Sequence, residues 1–179
     1  EDLGDTWHHA QPCPNIGLNE ATAVVLDDDT VLLNSRAYIG GHPAGQRALT
    51  RSRFTMDHEV HYEETIYHPT LVDSAVQAST LRIETERGAV VLFANPAHPE
   101  ARRRLTVRAT FDAGATWPVA REIDNGLSAY SDMVLQADGK VGVLYERGNQ
   151  GGIAYVKFTL DWLMGRPERA PELKEEGEP

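Results

Sequence analysis

The motif Asp-x-Gly-x-Thr-Trp occurs twice in this chain, at residues 2–7 and again at residues 112–117. In a hairpin turn, the Asp of such a motif accepts hydrogen bonds from backbone amides, and the Gly adopts a conformation closed to other residues. The Trp then anchors the turn on the sheet. A chance turn does not account for two copies, so the chain is predicted to repeat one β-sheet unit.

Short apolar runs separated by polar turn sequences support the same conclusion. Six of these runs are predicted to be strands: residues 21–26, 30–34, 89–93, 105–110, 141–145 and 153–158. The segments between them at residues 26–30, 85–88 and 136–140 contain the Asp or Gly that tight hairpins prefer. The only candidate helix is a short one at residues 161–164. We therefore predict an all-β fold built as an antiparallel meander.

Composition limits the classes of protein to consider. With 179 residues and 41% hydrophobic content, the chain is long enough to bury one core. We predict one domain over residues 1–164 and a charged, Pro-rich tail over residues 165–179. The net charge of −10 argues against a nucleic-acid surface. No segment approaches the roughly 20 consecutive apolar residues of a membrane helix, so we predict no membrane span. Nothing in the sequence indicates where the protein is located.

A group of His and Glu residues at positions 58–64 invites interpretation as a metal site. His58 and His61 are three apart, which is not the His-Glu-x-x-His spacing of a helical zinc site. We favour alternating strand or loop residues there. We predict neither a catalytic metal nor any other cofactor.

Five further residues stand in short motifs that are candidates for a functional site. They are Glu20 in Asn-Glu-Ala-Thr-Ala, Arg36 in Leu-Leu-Asn-Ser-Arg, Arg102 shortly before Leu-Thr-Val, Tyr130 in Tyr-Ser, and Glu146 in Leu-Tyr-Glu. Each residue alone is more often a solvated charge or a packing side chain. Their order in the chain adds weight, because they are interleaved with two motifs that resemble the Asp box of sialidases and other propellers. The chain resembles the C-terminal half of the catalytic propeller of bacterial-type exo-α-sialidases with Asp-box (BNR) repeats.

That resemblance implies a partial six-bladed β-propeller. A whole propeller of this family has six four-stranded blades, and this chain length is expected to supply about three. The first Asp box opens at residue 2 without a preceding strand. We therefore expect residue 1 to lie within a blade, and the N-terminal half of the ring to be a missing segment, a partner half or a second copy.

The resemblance also assigns a role to each site residue. It implies that Tyr130 is the nucleophile, that Glu20 is its general base, and that Arg36 and Arg102 bind the carboxylate of sialic acid. Arg103 is close enough in sequence to compete with Arg102 for that role. Glu146 is expected to hold a third Arg of the clamp. Neither this third Arg nor the family's acid/base Asp matches any residue of the chain.

The chemistry of sialic acid explains why these residue types are needed. Its anomeric carbon carries a carboxylate, which planar guanidinium groups can bind in bidentate fashion. An anionic nucleophile would approach an already anionic centre, and sialidases use a Tyr instead. Tyr has an ordinary pKa of about 10, so it needs a nearby base to remove its proton.

Two functions from different classes follow. The first is a retaining exo-α-sialidase that removes terminal sialic acids from glycans, of which this chain is a fragment. The second is a non-catalytic sialic-acid-binding or scaffold propeller, suggested by the missing Asp and Arg. Tyr130 and Glu20 favour the enzyme, because binding alone needs neither. A trans-sialidase would share the same motifs, and the sequence does not distinguish linkage preferences.

Overall fold

The computed structural model describes residues 3–7, 9–14, 17–26, 29–37, 45–55, 59–148 and 151–166. The described residues form eleven strands and one short helix. The strands are β1 (Leu18–Val25), β2 (Thr30–Ala37), β3 (Gln46–Phe54), β4 (Val60–Tyr62), β5 (Ile66–Val72), β6 (Ser79–Thr85), β7 (Gly88–Pro96), β8 (Arg103–Thr110), β9 (Val119–Leu135), β10 (Val141–Arg147) and β11 (Gly152–Phe158). All six predicted strands are present, and the helix α1 (Leu160–Leu163) lies where it was predicted.

The strands form curled antiparallel sheets that make up a partial propeller. The first sheet has the order β1-β2-β3-β4, with β5 also pairing with β3. The second has the order β11-β10-β9-β8-β7-β6. Strand β9 is 17 residues long and serves two units. Its first part, up to Leu127, pairs with β8, and its later part, from Ser128, pairs with β10.

The described residues thus supply three sheet units, as expected, but the units differ in strand number. The middle unit has four strands, β6, β7, β8 and the first part of β9, and the last unit contains the second part of β9 with β10 and β11. Strand β9 runs without a break from one unit into the next, so a single strand supplies the edges of two blades.

Two apolar clusters lie between the units. One contains Leu105, Val107, Val141 and Val143, all with no exposed surface, and joins the two halves of the second sheet. The other packs Leu32 and Leu71 of the first sheet against Phe93 of the second. Burying a side chain of this size stabilises the fold by about 1.5–3 kcal/mol. These clusters fix the angle between the strands that carry the candidate site.

The second Asp-box motif forms the predicted turn after β8. The carboxylate of Asp112 accepts hydrogen bonds from Thr110 Oγ1 at 2.7 Å and from Thr116 N at 2.8 Å. Burial opposes its ionisation, but hydrogen bonds from Thr116 and Thr110 lower the pKa of Asp112 to about 2. Gly114 has a φ of +88°, and a Cβ there would lie 2.9 Å from a methyl carbon of Leu32. Glycine is therefore required for both reasons.

The first Asp-box copy and the tail are only partly described. Asp2 lies outside the described residues, and Trp7 is exposed with its Nε1 donating to Gly4 O at 2.9 Å. The predicted tail lies outside the described residues from position 167 onward, so the boundary at 164/165 stays a prediction. In the described part of the chain, no helix has the length and apolar character to cross a membrane.

Candidate active site

Glu20 and Tyr130 both lie at irregularities in otherwise regular strand pairs. In β1, Asn19 pairs with Arg36 and Thr22 with Asn34, so β1 carries one extra residue. In β9, Ser131 pairs with Tyr145 and Ser128 with Arg147, which again leaves one extra residue. Such β-bulges redirect side chains and are frequent beside active sites.

The backbone at Glu20 also has an uncommon conformation. Its φ is +39°, in the left-handed region that residues other than glycine rarely occupy. A residue held in this way costs about 1–3 kcal/mol, which the surrounding structure must offset. The pairing of β1 with β2 on both sides of the bulge supplies that support.

These bulges bring together side chains that are far apart in sequence. Tyr130 Oη donates a hydrogen bond to Glu20 Oε1 at 2.6 Å, across 110 residues. Arg36 Nη1 donates to the other oxygen, Glu20 Oε2, at 2.7 Å. Glu20 therefore holds the phenol with one oxygen and a guanidinium with the other. The side chains of Arg36 and Glu20 are 17% and 27% exposed, so the pair is open to a small solute.

Arg102 stands beside the same phenol. Its guanidinium carbon lies 5.9 Å from the centroid of the Tyr130 ring, and its Nη2 donates to Ala75 O at 2.7 Å. Arg103 instead donates from Nη2 to Asn125 O at 3.4 Å. Of the two arginines considered for carboxylate binding, this geometry favours Arg102.

Glu146 lies opposite the bulge that carries Tyr130. Its Oε2 accepts a hydrogen bond from Tyr130 N at 3.2 Å. Glu146 is exposed and is followed at once by Arg147, the residue that resumes the strand pairing. All five predicted site residues therefore lie in one cluster. The assigned support of a third Arg by Glu146 stays a prediction, whereas its contact with the Tyr130 backbone was not predicted.

The charges around Tyr130 set the protonation states of the cluster. Hydrogen bonds from Arg36 and Tyr130 lower the pKa of Glu20 below its ordinary value of 4.5. The hydrogen bond to Glu20, together with burial, raises the pKa of Tyr130 above 10.0. At neutral pH the site therefore holds an ionised carboxylate and a protonated phenol. That is the starting state for general-base activation of a nucleophile.

The raised pKa of Tyr130 predicts a measurable titration. The absorbance difference between the wild type and Tyr130→Phe should show a phenol ionising above pH 10. In a Glu20→Gln background this pKa should fall, because the anionic acceptor that disfavours phenolate is gone. Since the pKa of Tyr130 is raised, its contribution to stability is complete below pH 10 and declines as the pH rises through the folded value. An unchanged pKa in Glu20→Gln would contradict the contact.

The described residues contain no group of three or more His, Cys, Asp or Glu side chains suited to a metal ion. His58 of the possible metal cluster lies outside the described residues. The side chains gathered around Tyr130 are its phenol, the carboxylate of Glu20 and the guanidinium groups of Arg36 and Arg102. Together they place two positive charges beside a hydroxyl that is hydrogen-bonded to a carboxylate.

Comparison with known proteins gives a family match. Residues 1–143 match the family model of the BNR repeat-like domain. A sialidase from Micromonospora viridifaciens is 33% identical over 171 residues, which cover 92% of this chain and 25% of that protein. An exo-alpha-sialidase from Aspergillus fumigatus is 28% identical over 114 residues, covering 54% of this chain and 28% of that protein.

A solved structure shares the fold. The Hadza microbial sialidase Hz136 superposes with a TM-score of 0.74 at 28% identity, covering 91% of this chain and 31% of that one. The chain thus spans between a quarter and a third of the length of these relatives.

Proposed function

This chain belongs to the BNR repeat-like domain family, and on that premise we propose that it is part of a retaining exo-α-sialidase. The single observation that carries the proposal is the hydrogen bond of 2.6 Å between Tyr130 Oη and Glu20 Oε1. A surface tyrosine that serves only in packing has no need of an ionised base at this distance. A base at the phenol proton is what an attack on an anomeric carbon requires.

The reaction would proceed in two displacements. Tyr130 Oη forms a bond to the anomeric carbon while its proton passes to Glu20, and the bond from that carbon to the glycan oxygen breaks. The departing oxygen takes a proton from an acid that is not assigned in this chain. Water then displaces the tyrosine and gives sialic acid, with one proton of the water restoring the unassigned acid and Glu20 returning its proton to Tyr130 Oη. Two inversions at one carbon give net retention.

Arg36 and Arg102 would bind the substrate carboxylate. Both flank the phenol, one through Glu20 and the other beside the ring. Guanidinium groups form charge-assisted hydrogen bonds to carboxylates and stay charged at any working pH. In this proposal they hold the anomeric carbon within reach of Tyr130 Oη. They also offset the negative charge of the substrate as it meets ionised Glu20.

We propose sialylated glycans as the substrate class. The acid and the third arginine would come from the rest of the propeller or from a second copy of the chain. The alternative is a propeller that binds sialic acid without hydrolysing it, motivated by these two unassigned groups. The alternative explains Arg36 and Arg102 but gives no role to the contact between Glu20 and Tyr130.

The test is hydrolysis of a fluorogenic aryl α-sialoside by the full protein that contains this chain. Release of the fluorophore, with the α-anomer of free sialic acid appearing first by ¹H NMR, is the expected result. The matching substrate with its carboxylate esterified should react at least about 100-fold more slowly, because charged hydrogen bonds worth about 1.5–3 kcal/mol each are lost. Binding without release of the fluorophore would favour the non-catalytic propeller.

The role of Arg102 gives a separate prediction. Arg102→Lys keeps the positive charge but removes the planar guanidinium group, whose paired N–H donors can bind both oxygens of a carboxylate. We expect KM for the aryl sialoside to rise about tenfold, with kcat within about threefold of the wild type. Arg103→Lys is the matched control and should leave KM unchanged. If Arg103→Lys gave the larger rise, the assignment of the two arginines would be reversed.

A further inference from the structure

A turn formed by residues 73–77 contacts three separate parts of the candidate site. Gln77 Oε1 accepts a hydrogen bond from the backbone N of Ser131, the residue after Tyr130. Ala75 O accepts the hydrogen bond from Arg102. Asp73 Oδ2 accepts from the backbone N of Ala37, the residue after Arg36, at 2.7 Å. We call this segment the 73–77 turn.

Asp73 determines the shape of the turn. Its Oδ1 accepts a hydrogen bond from Ala75 N at 2.9 Å, which is the contact that defines an Asx turn. Ala75 has a φ of +55°, a conformation that is unfavourable for alanine without such support. The two carboxylate oxygens therefore act on different parts of the site. One fixes the backbone beside Arg36, and the other fixes the carbonyl that holds Arg102.

The buried side chain of Arg47 forms an ion pair with Asp73. Arg47 has no exposed surface, and its Nη1 lies 3.7 Å from Asp73 Oδ1. The same guanidinium donates to Val76 O at 2.8 Å and, through Nε, to Asn34 Oδ1 at 2.8 Å. Asn34 precedes Arg36 by two residues in β2. A single buried cation thus ties the 73–77 turn to the strand that carries Arg36.

We propose that Asp73 is a positioning residue that sets the separation and orientation of Arg36 and Arg102. The inference rests on the proposed function, because it takes these arginines as the carboxylate clamp. Arg102 is long and exposed, and an untethered side chain of this kind loses rotamer freedom when it binds a ligand. The bond to Ala75 O restrains Arg102 before the substrate arrives. Asp73 acts on the substrate only through the two arginines.

The first test is the kinetics of Asp73→Asn in the full protein. Asparagine keeps the shape of the side chain, but its NH₂ group cannot accept a hydrogen bond. Either Ala37 N or Ala75 N therefore loses its acceptor. We expect KM for the aryl α-sialoside to rise about tenfold, with kcat within about threefold, because Tyr130 and Glu20 are untouched. Asp112→Asn in the Asp-box turn is the matched control, since it also removes a carboxylate that accepts a backbone N–H. It should lower stability and leave KM unchanged.

A milder variant covers the case in which Asp73→Asn does not fold. Asp73→Ser keeps a short side-chain oxygen that can accept from Ala75 N, as in an ST turn, so the turn is retained. It has no second oxygen to accept from Ala37 N, and KM should rise about threefold. Unchanged KM in both Asp73→Asn and Asp73→Ser would overturn the positioning role.

A double-mutant cycle tests the positioning without any sialoside. The measurement is the equilibrium constant for unfolding in urea, which Asp73→Asn and Arg102→Ala should each raise. In the double variant the rise should be about fivefold smaller than the product of the two single rises. The pair Asp112→Asn and Arg102→Ala should be multiplicative. If the wild type has no activity on sialosides while the first pair is coupled, the proposed function fails and the tethering of Arg102 stands. If the wild type is active and the first pair is multiplicative, the positioning role fails alone.

Discussion

Replacing Tyr130 with Phe should lower kcat for an aryl α-sialoside by at least about 1000-fold in the full protein. The change removes one oxygen and keeps the ring against which Arg102 lies. Substrate binding should therefore survive, and KM is expected to stay within about threefold of the wild type. The loss falls on kcat because the covalent bond to the anomeric carbon can no longer form. Initial rates of fluorophore release over a range of substrate concentrations separate the two parameters.

Tyr155→Phe is the matched control for this experiment. Tyr155 lies on β11 and is 52% exposed, against 37% for Tyr130, so both changes remove an accessible phenol hydroxyl from the same sheet. The control variant should keep its turnover within about twofold. A Tyr130→Phe enzyme with the turnover of the wild type would rule out tyrosine as the nucleophile. Water activated directly by Glu20 would then be the simplest remaining mechanism.

The sequence predicts much of this fold because its most regular strands follow simple patterns. Strands such as β7 and β10 are apolar runs that end in tight turns, and both are found where expected. Strand β3 is missed because its interior is polar: Arg47, Thr50 and Ser52 are all buried. Such burial depends on partners from distant segments, among them Asn34 and Val76 for Arg47. Period-two alternation does not reveal strands of this kind.

The residues of the candidate site are also predictable from the sequence, whereas its geometry is not. The order of short motifs predicts Glu20, Arg36, Arg102, Tyr130 and Glu146, and the structure brings all five together. The two bulges are not predictable, because a bulge is a property of a strand pair and not of one strand. The same holds for the 73–77 turn. Only the folded chain shows that Asp73 contacts the backbone next to Arg36.

Replacing Glu20 with Gln should lower kcat by about 100- to 10,000-fold, the usual contribution of a general base. Glutamine is nearly the same size and its one oxygen can still accept from Tyr130 Oη, whereas its NH₂ group no longer accepts from Arg36 Nη1. What disappears is the negative charge that takes the phenol proton. The matched control is Glu122→Gln, which alters a second Glu–Arg pair with a similar separation of 2.8 Å, to Arg104. This control should keep its turnover within about twofold.

The pH profile distinguishes loss of a base from loss of structure. The pKa of Glu20 is lowered by Arg36 and Tyr130, so the ionised form persists below pH 4.5 and is lost as the pH falls through the lowered value. The kcat/KM of the wild type should decline as the pH falls through this value, and the residual kcat/KM of Glu20→Gln should not show this acid limb. If Glu20→Gln lost activity but kept the acid limb, the general base would be a group other than Glu20. If instead the acid limb and the activity are lost together, the ionised carboxylate of Glu20 is the base that the reaction requires.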